Sequence, residues 1–357
     1  MKKIAVLPGD GIGPEVTQQA VKALKSVAEI FGHKFKFEEG LIGAAAIDAT
    51  GDPFPQATEE LCKSSDAILF GAIGDPKYDN DPAAKVRPEQ GLLRMRKELG
   101  LFGNIRPLTT YPALADISPL KNHVIEGVDF VVYRELTGGI YFGEPRGRTE
   151  DGETAFDTCV YSKSEVRRIA KMAFEAAMQR AKRLTLVDKA NVLASSQLWR
   201  ETVTEMAGDY PQVALDFMFV DNAAMKIVQN PAFFDVLLTE NMFGDILTDE
   251  ASVIAGSLGL SPSASVGTGV GLFEPIHGSY PQVANQNKAN PIGAILSAAM
   301  LLDYAFGMHE ESTLIENAVA RSIEQGVCTE DLKQEKIYNT DEVGDFIVTY
   351  IKSAINV

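Results

Sequence analysis

Cysteine, tryptophan and histidine are scarce: the chain of 357 residues holds three, one and four of them. The three thiols (Cys62, Cys159, Cys328) cannot all pair and follow no metal-ligand spacing. Neither a disulfide framework nor a zinc module is expected, and a reducing cytoplasm suits them. Positive charge is also short. Lysine plus arginine number 33 against 49 acidic residues, a formal net charge of -16, which argues against nucleic acid or an anionic membrane as partner. The start "MKKIAVLPGDG" breaks at Pro8-Gly9, too early for a signal peptide, and no apolar run approaches membrane-spanning length. Low-complexity tracts, repeats and a GxxxxGK[ST] phosphate loop are all absent. Even the glycine turn "GDGIG" misses the dinucleotide fingerprint, because the glycine expected at position 14 is Pro14.

The remainder is an ordinary globular composition, 45% hydrophobic and 23% charged, long enough for two domains. "KIAVL" reads as a strand, and "PEVTQQAVKALKSVAEIFG" as a helix with Val16, Ala20, Ala23, Leu24 and Val27 on one face. Pro14 sits early in that helix and Gly32 stops it. "KFKFEEG" and "DAILFGAIG" continue as strands, the α/β alternation of a sheet covered by helices. "GLLRMRKELGLFGNIRP" runs from helix to strand, and "DFVVYRELTGGIYFGEPRG" reads as two strands broken at Gly138-Gly139. "SKSEVRRIAKMAFEAAMQRAKR" opens on a capping box, Ser162 to Glu165. "RLTLVDKANVL", "VALDFMFVDNAAMKIV" and "FDVLLTENMFGDILTDEAS" each place polar residues where a strand passes into a helix, a common location for ligand chemistry in α/β proteins. The stretch "GSLGLSPSASVGTGVGLFEPIHGSYPQVANQNKANP" reads as a long irregular loop, functional rather than disordered, before two or three final helices.

Within "NMFGDILTDEAS", Asp245 and Asp249 fall one helical turn apart beside an apolar stripe, with Asn241 as the expected cap. Like charges so placed cost about 0.2–0.5 kcal/mol, so either both carboxylates face water or a cation sits between them. Hard divalent cations take carboxylate oxygens, and Asp221, at the end of "DFMFVD", is a third candidate. Spacing alone favours the solvated pair. Arg94, Arg96, Arg106 and Arg134 stand out in an acidic protein, since arginine forks bind carboxylates bidentately. Ordinary surface ion pairs are the competing reading. Lys189 follows the strand "LTLVD"; a lysine held out of water beside a metal loses basicity and can act as a base, although most strand-end lysines are structural. Tyr141 in "GGIYFGE" is ambiguous by itself.

Taken together, "LPGDGIGPEV", "LLRMRKELGLFGNIRP", "RELTGGIYFGEPRG", "DKANVL", "NMFGDILTDEASVIAGSLGL" and "GLFEPIHGS" resemble the β-decarboxylating dehydrogenases, the isocitrate and isopropylmalate dehydrogenase family. The resemblance runs from about residue 3 to about residue 350. It implies two α/β domains around a mixed sheet, with a cofactor site that is not a Rossmann site: residues 1–101 with 256–357 for the cofactor, and 102–255 for metal, catalysis and dimerisation. The active site is then expected in the cleft, and "DGETAFDTCVYS" as a β-arm (near 150–162) reaching to a second subunit.

The resemblance also implies roles. Asp245 and Asp249, with Asp221 of the neighbouring subunit, would hold Mg²⁺ or Mn²⁺. Arg96, Arg106 and Arg134 would bind the malate carboxylates, with Asp221 also beside the substrate and Glu89 near it. Lys189, again from the partner, would take the C2 hydroxyl proton, and Tyr141 would protonate the enol left after loss of CO₂. NAD would lie along Glu274 to Asn290, with His277 against the adenine, Gly278, Ser279, Gln282, Ala289 and Asn290 around it, and Ile12 of the glycine turn touching it.

Sister enzymes act on isocitrate, homoisocitrate or tartrate-like acids. Leu92 and Leu93, with Val192 of the partner, suit an isopropyl group at C3, worth about 1–3 kcal/mol per apolar unit. The expected reaction is therefore oxidative decarboxylation of 3-isopropylmalate in leucine biosynthesis, by a cytoplasmic homodimer with shared active sites. The chain departs from the family pattern at Gln282, where NAD-dependent members carry an aspartate. The lysine and tyrosine of NADP-dependent members are absent at Gln282 and Val283, so NAD remains the expectation. A metal-dependent phosphoryl-transfer enzyme would explain the aspartates and leave the arginines, Lys189 and Tyr141 without a purpose. An inactive relative would be expected to have lost one of these groups.

Overall fold

The computed structural model describes residues 1–79 and 86–354. Its strands, in chain order, are β1 (Lys2–Gly9), β2 (Phe35–Glu39), β3 (Ala67–Ala72), β4 (Leu101–Thr109), β5 (Asp129–Glu135), β6 (Gly147–Arg148), β7 (Ala155–Phe156), β8 (Arg183–Asp188), β9 (Ala214–Phe219), β10 (Val236–Thr239), β11 (Pro262–Gly267) and β12 (Gly271–Pro275). The chain divides into two compact units, Met1–Leu101 with Gly256–Val357, and Phe102–Ala255.

In the first unit the strands lie in the order β2-β1-β3-β12-β11. All neighbours are parallel except the antiparallel pair β11–β12. Every residue of β3 (AILFGA) is buried, as a parallel strand covered on both faces requires. The helix Gly13–Phe31 buries Val16, Ala20, Ala23, Leu24 and Val27 and ends on left-handed Gly32 (φ 72), whose N–H bonds Ala28. A core of Ala5, Leu7, Ile42, Phe54, Cys62, Ile68, Phe70, Met95, Leu101 and Leu272 lies under the helix Pro88–Glu98.

The second unit orders its strands β4-β5-β10-β8-β9, antiparallel between β4 and β5 and parallel elsewhere. The helix Lys163–Gln179 starts at the Ser162–Glu165 capping box that its sequence signalled. Next to β5 packs the helix Asn241–Ser252, which carries the two spaced aspartates.

Four expectations change. The long irregular stretch contains the β11–β12 hairpin; its buried positions include Ser263, Ala264 and Ser265, so no apolar run announces a strand. "DFVVYRELTGGIYFGEPRG" is one strand, not two: the Glu135 carboxylate accepts from Thr137 N and Gly138 N and turns the chain out of β5 into a short 3₁₀ turn, Gly139–Tyr141. Asp221 stands in the first turn of the helix Val220–Gln229, beyond the end of β9. Asn241 is not the cap of its helix. Glu240 is, its side chain accepting from Phe243 N, and Asn241 is fully buried. Among the described residues no helix is long and apolar enough to cross a membrane.

Candidate active site

Asp245 and Asp249 project from the solvent-facing side of their helix, with side chains 38% and 70% exposed. Each faces a cation rather than its like-charged neighbour. Arg134 Nη1 donates to Asp245 Oδ1, and Arg106 Nη1 donates to Asp249 Oδ1 at 3.1 Å. Arg134 leaves the buried strand β5 and is itself 5% exposed. Arg106, on β4, is oriented by Asn104 Oδ1 at 2.8 Å and Thr248 Oγ1 at 2.7 Å. The Tyr141 hydroxyl donates to Asp245 Oδ2 at 3.0 Å. Burial, and then this hydrogen bond, push the Tyr141 phenol above its ordinary range, so it keeps its proton at neutral pH.

Lys189, directly after β8, donates from Nζ to Asp221 Oδ1 at 2.5 Å. That ammonium holds the Asp221 carboxyl below the usual carboxylate range. Val192 and Leu193, in the turn closed by Lys189 O, are 66% and 38% exposed. Among the described residues no three acidic, imidazole or thiol groups of one chain converge on a point, so Asp221 does not join Asp245 and Asp249 within a single copy.

In the first unit, Arg96 Nη2 donates to Glu274 Oε1 at 2.9 Å, and its buried Nε meets no acceptor. Leu92 packs against the core below it, while Leu93 is 48% exposed. The glycine turn grips the cofactor segment by backbone: Ile12 N donates to Ser279 O at 2.8 Å, and a Cβ on Gly11 (φ +58) would come 1.9 Å from that oxygen. A Cβ on Gly74 would stand 3.1 Å from Glu89 Oε1 and 3.4 Å from Ser279 Oγ, which places those two side chains together. Asp10, 6% exposed, accepts from Ala44 N, Ala45 N and Gly74 N and ties the turn to its surroundings.

His277 presents an enclosed Nε2 with no partner, its Nδ1 bonded to Gly278 O, and burial lowers its pKa. Gly278 and Gln282 are exposed. The Asn290 amide is bonded at both ends, Nδ2 donating to Asp331 Oδ2 and Oδ1 accepting from Ile292 N; Ala289 O accepts from Thr340 Oγ1. At Ala289 and Asn290, both under 10% exposed, the segment is thus locked into its path.

Comparison with known proteins decides what this arrangement belongs to. The sequence model for isocitrate/isopropylmalate dehydrogenases matches residues 3–347. The chain belongs to that family. Relatives named 3-isopropylmalate dehydrogenase include one from Bacteroides fragilis, 57% identical over 99% of both chains, and one from Priestia megaterium, 54% identical over 98% of this chain and 96% of the other. Among solved structures, isocitrate dehydrogenase from Methylococcus capsulatus superposes with a TM-score of 0.87 at 33% identity over 99% and 100% of the chains. A β-decarboxylating dehydrogenase from Thermococcus kodakarensis gives 0.84 at 37% identity over 100% and 98%.

As a member of the isocitrate/isopropylmalate dehydrogenase family, the chain is an NAD-dependent, divalent-metal-dependent decarboxylating dehydrogenase acting on a small molecule. Its residues fit both groups. Two oxygen donors one turn apart on an accessible helical face suit Mg²⁺ or Mn²⁺. On the cofactor segment, the enclosed His277 Nε2 is a polar atom with no partner in the chain itself, open to a bound group. Sequence reasoning missed Asp10, Asn241 and Asp331, which hydrogen-bond Ala44, Ala45 and Gly74, Arg134, and Asn290 respectively. For Asn241 a signal existed, an amide opening a helix directly after a glutamate able to cap it.

Proposed function

We propose that the enzyme oxidises and decarboxylates 3-isopropylmalate to 4-methyl-2-oxopentanoate and CO₂ with reduction of NAD, a step of leucine biosynthesis. One observation carries the chemistry: a guanidinium and a protonated phenol both converge on the Asp245 carboxylate, in a chain whose relatives at 54–57% identity bear that enzyme's name. Arg96, Arg106 and Arg134 bind the two carboxylates of the substrate. The isopropyl group lies against exposed Leu93 and the flank of Leu92, with Glu89 beside the reacting end.

Asp245 and Asp249 of one subunit, with Asp221 of a second, are the oxygen donors for the divalent cation. When bound, that cation supplies Lewis acidity beside the C2 oxygen, and NAD supplies the hydride acceptor. Lys189 of the second subunit takes the C2 hydroxyl proton, and Tyr141 returns a proton to carbon once CO₂ has left. Residues Ile12, Glu274, His277, Gly278, Ser279, Gln282, Ala289 and Asn290 form the NAD site.

The proposal makes the homodimer obligatory. Lys189 and Asp221 are paired with each other, and Asp221 does not converge with Asp245 and Asp249 in one chain. Exposed apolar side chains support a mating surface on the same unit: Met225 and Val228 on one helix, Ile246 and Val253 on or beside the next, and Val160, Val192 and Leu193 nearby in sequence. The hairpin β6–β7, exposed throughout, serves as the arm to the partner. Three free thiols, Cys62 and Cys328 buried, suit the cytoplasm. The test is chromatographic mass with the site variants described below; an active monomer would refute the shared site.

A further inference from the structure

We infer that Asn241 is a positioning residue that holds both Arg134 and the Tyr141 turn against the aspartate-bearing helix, and that Gly244 provides the space in which Arg134 lies; the inference rests on the roles given above to Arg134 and Tyr141. Asn241 is wholly enclosed, and every polar atom of its amide is used. Oδ1 accepts from Arg134 Nε at 3.0 Å and from Nη2 at 2.8 Å. Nδ2 donates to Leu136 O at 3.2 Å and to Gly138 O at 3.1 Å. Its backbone N–H is taken by the Tyr161 hydroxyl at 3.0 Å.

The two halves of one amide therefore do different work. The acceptor half fixes the plane of a guanidinium and leaves Nη1 aimed at Asp245. The donor half fixes the carbonyls of the turn that ends at Tyr141, whose hydroxyl reaches the other oxygen of the same carboxylate. Only a primary amide offers an acceptor and two donors in so short a side chain.

Gly244 lies one turn further along the helix, on the same face as Asn241. A Cβ there would come 2.6 Å from Arg134 Cγ, 2.8 Å from its Cβ and 3.0 Å from its Cδ. The missing methyl group is the groove that seats the arginine stem, and Asn241 grips the head. Any side chain at position 244 lifts Arg134 off the helix whatever it does to helix propensity.

The arrangement predicts that the two functions separate by mutation. Asn241→Asp keeps the acceptor for Arg134 and sets an oxygen against two carbonyls, so the turn is released; kcat falls at least tenfold while KM for 3-isopropylmalate stays within threefold. Gly244→Ala displaces the Arg134 stem and spares the turn; KM for 3-isopropylmalate rises at least tenfold while kcat falls less than threefold. Equilibrium binding of 3-isopropylmalate with Mg²⁺, followed by calorimetry, weakens for Gly244→Ala and not for Asn241→Asp. Trp199, edge-on to Tyr161 at 5.3 Å between centroids, reports by its fluorescence that both variants are folded. If Asn241→Asp does not fold, Gly244→Ala introduces no charge and carries the test alone. Folded variants with wild-type kcat and KM, or with both constants altered in the same proportion in both variants, overturn the inference. Absence of isopropylmalate turnover in the wild type would instead overturn the reading on which it rests.

Discussion

Replacing Asp245 by asparagine removes one proposed metal ligand, and the structure sets what else it should cost. For two bare carboxylates one turn apart, deleting one charge would relieve about 0.2–0.5 kcal/mol of repulsion. Asp245 is not bare. It accepts from Arg134, a guanidinium 5% exposed, and from Tyr141. Asparagine keeps the shape and one acceptor oxygen but loses the charge. A hydrogen bond to a charged group contributes about 1.5–3 kcal/mol against about 0.5–1.5 for a neutral one, so the exchange should cost about 1 kcal/mol. The 38% exposure of Asp245 keeps the figure toward the low end. In a unit of this size that lowers Tm by about 2–4 °C. Metal separates the two effects. At about one hundred times its Kd, a ligand bound only by the folded state adds about 2.7 kcal/mol, so wild-type Tm should rise by about 5–10 °C with Mg²⁺ or Mn²⁺. In Asp245→Asn the rise should vanish at the same concentration and turnover with it. A variant that keeps the metal-dependent rise and near-normal activity refutes the assignment.

Three further outcomes follow from the same account. Inactive Lys189→Ala and Tyr141→Phe subunits, mixed and allowed to exchange, should recover about a quarter of wild-type activity, because half the dimers are mixed and each mixed dimer carries one complete site; exchange shown by mass without activity would sink the shared site. Burial holds the His277 pKa below its ordinary value, so its contribution is whole above about pH 6.5 and is lost as pH falls through the depressed folded value. Tm of the wild type should decline over that acid window more steeply than that of His277→Gln, and equal slopes would contradict the burial argument. Gln282 stands exposed on the turn Pro281–Val283, and Gln282→Asp should raise the preference for NAD over NADP about fivefold, the upper end for an exposed charge interaction; a wild-type kcat/KM higher with NADP than with NAD would overturn the cofactor reading.

The helix Gly13–Phe31 was readable from end to end, because Pro14, the spaced apolar residues and Gly32 all speak locally. So was the start of Lys163–Gln179. The hairpin β11–β12 was not, since serine and alanine fill its buried positions and tertiary packing alone makes it a strand. Asp245 and Asp249 were legible as an unexplained pair, but their neutralisation by Arg134 and Arg106 was not, and nor was the pairing of Arg96 with Glu274 or of Lys189 with Asp221. Those partners are brought together by strand order, which no local spacing encodes. Asn241 misled for a physical reason. Asparagine is a good cap, yet the preceding Glu240 fills that place and leaves Asn241 to the interior, where its amide serves Arg134 and the turn.

The central claim is tested most directly by one absorbance measurement of reduced cofactor. The purified enzyme with NAD and Mg²⁺ is offered 3-isopropylmalate, isocitrate, homoisocitrate, tartrate and malate in parallel. The account requires the highest kcat/KM with 3-isopropylmalate, with product CO₂ released in step with NADH and no turnover once the divalent metal is chelated. A higher kcat/KM with isocitrate or homoisocitrate, or turnover that survives chelation, would contradict it.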